Sequence, residues 1–238
     1  MSMNRTVSSL AEIKSLERVY DIYGRTISDF PVACGVGCAD CCTCNVTLTS
    51  LEAAYIFAGL DKGRIEALAD RIKAAGTGRR YRPSLTTNGF AGACLSGEPV
   101  AEEENDPAWG TCPLLEDGRC TIYEVRPLGC RNMMSNVRCA DTGYADMPSL
   151  ALTLNNLFLQ YVEGLDTLSF SGNLTDMLDL YLTAGHGNAT PLYLSLEKLQ
   201  YSDKKGLFIG NQPVPAWMVP PEHRDRAAPV LKALNTAE

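Results

Sequence analysis

Ten cysteines dominate the chemistry that this chain could perform. Five of them fall within eleven residues: Cys34, Cys38, Cys41, Cys42 and Cys44. If the segment is helical, the first four lie on one stripe at helical spacing. Gly35 and Gly37 favour a wrapped loop just as well. Either geometry brings several thiolates together, and thiolates are the ligands of structural zinc and of iron–sulfur clusters.

Two of these cysteines, Cys41 and Cys42, are adjacent. Neighbouring side chains diverge by about 100° in a helix and by more in a strand. We therefore do not expect the two thiols to serve one ion equally. Either one binds metal while the other packs, or each serves a different centre.

A second group of cysteines follows much later in the chain, at Cys112, Cys120 and Cys130, with Cys139 further on. Thiols spaced across short turns can complete a site that the first group begins. The competing interpretation treats them as small buried hydrophobic residues. That interpretation suits any single cysteine better than it suits two clusters together.

The spacing C-x3-C-x2-C is also the one by which radical S-adenosylmethionine enzymes hold a [4Fe–4S] cluster. Those enzymes need a long βα barrel, and this sequence shows no strand–helix alternation. In addition, Asp40 stands where an aromatic residue is usual. The spacing still shows that a short loop can supply three ligands to a cubane, which a distant thiolate completes. Zinc held by four thiolates is the competitor, although it usually comes as paired C-x2-C knuckles.

Composition limits the class of protein. The 238 residues carry a net charge of −7, which argues against a domain that coats nucleic acid. The longest apolar stretches are too short to span a bilayer, and the amino end lacks a signal-peptide pattern. We therefore expect a cytoplasmic protein with reduced thiols and no membrane or nucleic-acid partner. With only His186 and His223 available, any metal site should be thiolate-rich.

The elements that must position these thiols are mostly helical. Periodicity predicts helices over 8–29, 62–75, 150–165, 173–184 and 191–201, and a short last helix near Ala227–Leu234. Thr49 and Glu52 form a capping box that opens another helix. Residues 76–110 look like long loops, and Asp117-Gly118 suits a hairpin turn. We expect a mainly α fold with irregular cysteine-bearing loops and one short β-hairpin around the metal site.

Two segments are predicted along the chain. Residues 1–145 form the cysteine-cluster metal-binding part with its N-terminal helices. Residues 146–238 form a helical segment with a proline-rich tail, packed on the first as one unit. The second segment has no motif that indicates a function.

Two arginines, Arg126 and Arg131, flank Cys130 and have two interpretations. They could bind a cofactor by neutralising an anionic cluster or by holding a carboxylate. Equally, Arg126-Pro127 could fix a turn, with the guanidinium satisfying loop carbonyls. Nearby Tyr123 is expected to be a core residue.

The pattern as a whole resembles a known family. CGVGCADCC followed by TLTSLEAAYI, and then CPLLEDGRCTIYEVRPLGCR, is similar to the CxxxCxxCC putative zinc- or iron-chelating domain, the YkgJ-type cysteine-cluster family. The similarity covers residues 34–132, and two separated motifs agree in order and in flanking residues. The family includes flagellin lysine-N-methylases.

That resemblance implies an iron–sulfur cluster and S-adenosylmethionine-linked methyl transfer. Carried over by position, it implies seven metal ligands: Cys34, Cys38, Cys41, Cys42, Cys112, Cys120 and Cys130. Cys44, Cys94 and Cys139 fall outside the family pattern and mark either a second centre or simple packing.

These observations favour an iron–sulfur protein with a [4Fe–4S] cluster. Its cluster would serve group transfer or redox chemistry on a small molecule or a protein side chain. The alternatives are a zinc- or iron-binding module for metal storage, delivery or sensing, and a zinc-stabilised interaction domain without catalysis. The sequence leaves open whether the protein is an enzyme.

Overall fold

The computed structural model describes residues 10–35, 37–183 and 206–236. Helices dominate it, as predicted. The longer ones are α1 (Leu10–Ile27), α2 (Ser50–Ala58), α3 (Lys62–Ala75), α4 (Thr87–Ser96), α7 (Ser149–Leu165), α8 (Leu174–Thr183) and α9 (Arg224–Asn235). Two short helices, α5 (Leu128–Arg131) and α6 (Cys139–Thr142), carry Cys130 and Cys139.

Several helices begin and end where the sequence indicates. The predicted capping box is confirmed: the Thr49 side chain accepts from the Glu52 backbone N–H, and Glu52 bonds back to the Thr49 backbone. Helix α3 has the predicted bounds, because Asp61 caps its first turn and Gly76 ends it. These signals are local, so the sequence alone carries them.

Strands are short and form two small antiparallel sheets. The hairpin predicted at Asp117-Gly118 is confirmed, with β2 (Leu115–Glu116) paired to β3 (Arg119–Cys120). A three-stranded sheet was not predicted. It orders β1 (Thr47–Thr49), β4 (Phe170–Asn173) and β5 (Phe208–Gly210) as β1-β4-β5.

One prediction about the middle of the chain is wrong. Residues 76–110 are not all loop, because 87–96 form helix α4 and 107–109 form a 3-10 turn. The glycines in this segment are poor helix formers, so its sequence did not indicate a helix. Asn88 at its start is fully buried, and its backbone N–H donates to Glu163 of α7 at 2.8 Å. Tertiary contact with α7 thus overrides the weak helix propensity of glycine.

Two hydrophobic clusters form the core. One joins α2, α3 and α8 with the sheet, and the other joins α1, α7 and α9. Each cluster takes residues from both sides of position 145. Tyr23 of α1, for example, packs edge-on against Phe158 of α7 with ring centroids 5.1 Å apart.

The proline-rich tail runs along α7 before the last helix. The backbone N–H groups of Gln212 and Met218 donate to the side chains of Glu163 and Gln160. The predicted helix over 191–201 and His186 lie outside the described residues. Within the described ranges, no helix has the length and apolar character needed to cross a bilayer.

Candidate metal centre

The predicted ligands lie together. A cavity of about 340 Å³ is lined by all seven of them: Cys34, Cys38, Cys41, Cys42, Cys112, Cys120 and Cys130. Arg126 and Arg131 line the same cavity. Residues separated by almost a hundred positions in sequence therefore meet around one space, which we call the thiol cavity.

The first four cysteines lie on a wrapped loop rather than on a helix. Successive turns are closed by backbone bonds from Cys38 to Gly35, at 3.0 Å, and from Cys42 to Ala39, at 2.9 Å. Gly37 has a φ of +91°, which a residue with a side chain rarely adopts. Of the two geometries that the sequence left open, the structure has the loop.

An isolated antiparallel bridge connects the two groups of cysteines. It pairs Thr43 with Thr111, and the Cys112 N–H donates to the Cys42 carbonyl at 2.9 Å. This bridge sets Cys42 and Cys112 side by side on the cavity wall. Cys44, beyond the bridge, does not line the thiol cavity.

The hairpin positions the next thiol. Its turn residues Asp117 and Gly118 both have positive φ, +48° and +73°, as a tight two-residue turn requires. The turn registers Leu115 opposite Cys120. Cys112 and Cys120 both pack against the first hydrophobic cluster, so this side of the cavity is anchored in the core.

A buried carboxylate holds the segment that carries Cys130. Glu52 is 2% exposed, and its side chain accepts a hydrogen bond of 2.7 Å from the Leu128 N–H at the start of α5. The same carboxylate accepts from the Tyr20 hydroxyl at 2.9 Å and from the Thr49 N–H at 2.9 Å. Glu52 thus links α1, α2 and α5. The sequence identified it only as a capping residue.

The thiols influence one another's ionisation. Burial raises the pKa of Cys112 to about 11 and also raises the pKa of Cys130, Cys120 and Cys34. The thiols of Cys41 and Cys42 hydrogen-bond to each other, which raises the pKa of Cys41 and lowers the pKa of Cys42. Both residues line the cavity.

The two arginines are held by loop carbonyls. Arg126 donates to the Tyr123 carbonyl at 2.8 Å, and Arg131 donates to the carbonyls of Arg126 and Glu124 at 2.8 and 2.9 Å. Each guanidinium also lies over a tyrosine ring, Arg126 over Tyr123 and Arg131 over Tyr20. These contacts fix the turn, as one of the two interpretations proposed. They also hold two positive charges at the cavity wall.

The rest of the wall is largely apolar and was not identified from the sequence. It comes from the end of α1, the loop after it and the segment after α5: Ile27, Phe30, Val32, Met133 and Met134. Tyr123, expected in the core, is half-buried and also lines the cavity. The pair Met133-Met134, two residues beyond Arg131, was the one local signal for this apolar wall.

The remaining candidates lie outside the cavity lining, although Cys139 is near enough to Cys34 to add to the effect of burial in raising the pKa of that thiol. Cys94 is exposed on α4, and Cys139 begins α6. Neither of them lines the thiol cavity. His223 hydrogen-bonds to Thr153 at 2.8 Å and does not line it either.

The seven cysteines line a shared cavity, but their thiols do not form the ligand set of a single ion. Within the described ranges, no three His, Cys, Asp or Glu side chains are placed so that they could hold a single metal ion. All of the predicted ligands are nevertheless cysteine thiols, and such a donor set suits zinc or an iron–sulfur cluster.

Comparison of the chain with protein-family profiles, with curated proteins and with solved structures gives no match. The resemblance to the YkgJ-type family therefore stays a prediction. The functional argument rests on the site itself.

Proposed function

We propose that this protein binds a [4Fe–4S] cluster in the thiol cavity. The observation that carries the proposal is the convergence of seven cysteines, from three separate chain segments, on one cavity of about 340 Å³. A chain that used these cysteines only as small hydrophobic residues would have no reason to gather them around a shared space.

The donor chemistry fits the group. Iron–sulfur clusters are held by cysteine thiolates, often three from one loop and one from elsewhere. A cubane takes four thiolates, and the cavity offers seven: the loop 34–42 supplies four thiols, and the hairpin segment and α5 supply Cys112, Cys120 and Cys130. When bound, such a cluster supplies one-electron redox chemistry or a Lewis-acidic iron.

The chain's own residues would tune that group. Arg126 and Arg131 place positive charge beside an array of thiolates, which favours a cluster of net negative charge. The apolar wall of Phe30, Val32 and Met133 lowers the polarity of the cavity lining, and the surroundings of a cluster shift its potential. Val32 and Met133 are also about half exposed, so this wall is accessible to a small molecule or a protein side chain.

The test is anaerobic purification followed by analysis of iron, acid-labile sulfide and zinc, with an absorption spectrum. One cubane predicts brown protein, broad absorption near 400 nm, and roughly four iron and four sulfide per chain. Stoichiometric zinc without sulfide, in protein never exposed to air, would overturn the iron proposal. That result would instead support a zinc-binding module.

A further inference from the structure

A second cavity lies across the Thr43–Thr111 bridge from the thiol cavity. Its volume is about 420 Å³, within the range of small-molecule sites. Three arginines line it, Arg71, Arg79 and Arg80, and no acidic residue belongs to its lining. We call it the arginine pocket.

The charge of Arg80 is not fully balanced inside the fold. Its side chain is 5% exposed, and its Nε lies 3.6 Å from one carboxylate oxygen of Asp176. Arg82 engages both oxygens of that same carboxylate, at 2.8 and 3.2 Å. One carboxylate thus serves two guanidinium groups, of which that of Arg80 is buried and that of Arg82 is partly exposed, and the three side chains together keep a net positive charge.

Two buried donors in the lining have no hydrogen-bond partner among the described residues. They are the hydroxyl of Thr175 and the Nε–H of Arg80, whose ion-pair partner Asp176 lies at 3.6 Å, beyond hydrogen-bond distance. Thr175 is 2% exposed and lies in the first turn of the ten-residue helix α8. The first turn of a helix carries partial positive charge. An unpaired buried donor is costly, and an anionic acceptor would relieve that cost.

The other two arginines are available to a ligand. Arg71 pairs with Glu116 and Arg79 with Glu104, and both glutamates are more than half exposed. Surface pairs of this kind contribute little to stability, so an anion could compete with them. Arg79 also lies over the Trp109 ring, 4.0 Å from its centroid, which adds a flat surface beside the charge.

From these contacts we infer that the arginine pocket binds a small-molecule anion through a phosphate or carboxylate group. Arg80 and Thr175 donate to the anionic group, Arg71 and Arg79 supply charge, and Trp109 contacts the remainder of the ligand. The inference does not depend on what the thiol cavity holds.

Titration calorimetry on the full chain tests the site with three probes: inorganic phosphate, citrate and adenosine monophosphate. We expect saturable binding of at least one. Binding of phosphate or the nucleotide without citrate identifies a phosphate-bearing ligand. Binding of citrate without the other two identifies a carboxylate ligand. If none of the three binds saturably up to millimolar concentration, the inference is overturned.

Two variants locate the binding. Thr175→Val removes the unpaired hydroxyl with little change in shape, and Arg79→Gln removes one charge. Each variant should bind the anion about tenfold more weakly, because each loses about one hydrogen bond to a charged group. Arg18→Gln, which removes an exposed arginine on α1, should bind as the parent does. Thr175→Val should also unfold at the same or a higher temperature than the parent, because it loses an unsatisfied buried polar group. Undiminished affinity in a folded Thr175→Val protein would contradict the assignment.

Discussion

The carboxylate of Glu52 accepts a 2.7 Å hydrogen bond from the backbone N–H of Leu128, 76 positions later in the chain. This bond fixes the start of α5, and Cys130 lies on α5. A buried acid in the core therefore positions a thiol of the candidate metal centre.

Replacing this acid tests that connection. Glu52→Gln keeps the size of the side chain but leaves a buried amide N–H₂ opposite backbone donors, so we expect a loss of about 2–3 kcal/mol of unfolding free energy. We also expect weaker retention of metal, because Cys130 is no longer held. Chemical denaturation and metal analysis measure the two effects. Glu66→Gln, at an exposed position on α3, is the control and should change stability by less than about 0.5 kcal/mol.

The cysteines can be separated by substitution. Cys38→Ser replaces a soft thiolate in the thiol cavity by a hydroxyl that stays protonated near neutral pH, and it should lose most of the iron. Cys94→Ser changes an exposed thiol on α4, outside that cavity, and should keep full metal content. Metal analysis of the two variants, purified side by side, decides the matter. Equal losses in both would show that our division of the ten cysteines is wrong.

How far the sequence predicts this fold depends on how local each signal is. Helix α3 and the hairpin at Asp117-Gly118 follow from caps and turn residues a few positions apart. The sheet depends on pairing Thr47 with Asn173, and α4 depends on the bond from Asn88 to Glu163. Such contacts between distant positions leave no pattern in either segment alone.

The candidate site shows the same division. The cysteine spacing and the family resemblance indicated the seven thiols that line the cavity. They did not indicate the apolar wall of Phe30 and Met133, nor the reach of Glu52 to Leu128. Packing decides which distant residue a side chain contacts. The periodic patterns of a single sequence indicate helices and strands but not such contacts.

Stability should fall as pH rises because of one buried acid. Burial raises the pKa of Asp166 to about 7, even though Ser50 and the Leu51 N–H donate to its carboxyl; Glu12 and Glu52 raise it further. The folded protein then holds a proton that the unfolded chain, with an ordinary pKa of 3.8, releases. The stabilisation is complete below about pH 4 and is lost as pH rises through 7.

Asp166→Asn isolates this effect. The difference in unfolding free energy, parent minus variant, should fall by about 2 kcal/mol between pH 5.5 and 7.5. Denaturation of both proteins across that range measures it, and the change in metal occupancy with pH cancels in the comparison. A difference that stays flat, or that grows with pH, would refute the assignment.

Removing the metal should loosen one part of the fold. Metal bound only by the folded chain adds its binding free energy to stability, on the order of 10 kcal/mol for thiolate sites. We expect faster hydrogen exchange over residues 30–140 after metal removal, with α7 and α8 partly protected. Hydrogen exchange followed by mass spectrometry compares the two states. Unchanged protection across the cysteine segments would count against a metal that is part of the fold.

The most direct test uses two exposed thiols, Cys38 and Cys94. Both are accessible, but only Cys38 lines the thiol cavity, so burial alone does not distinguish them. Alkylation of anaerobically prepared protein, read by mass spectrometry, should leave Cys38 unmodified while Cys94 reacts. After the metal is stripped, both should react. If Cys38 is alkylated as fast as Cys94 in the untreated protein, it is not a metal ligand, and the proposed centre is contradicted.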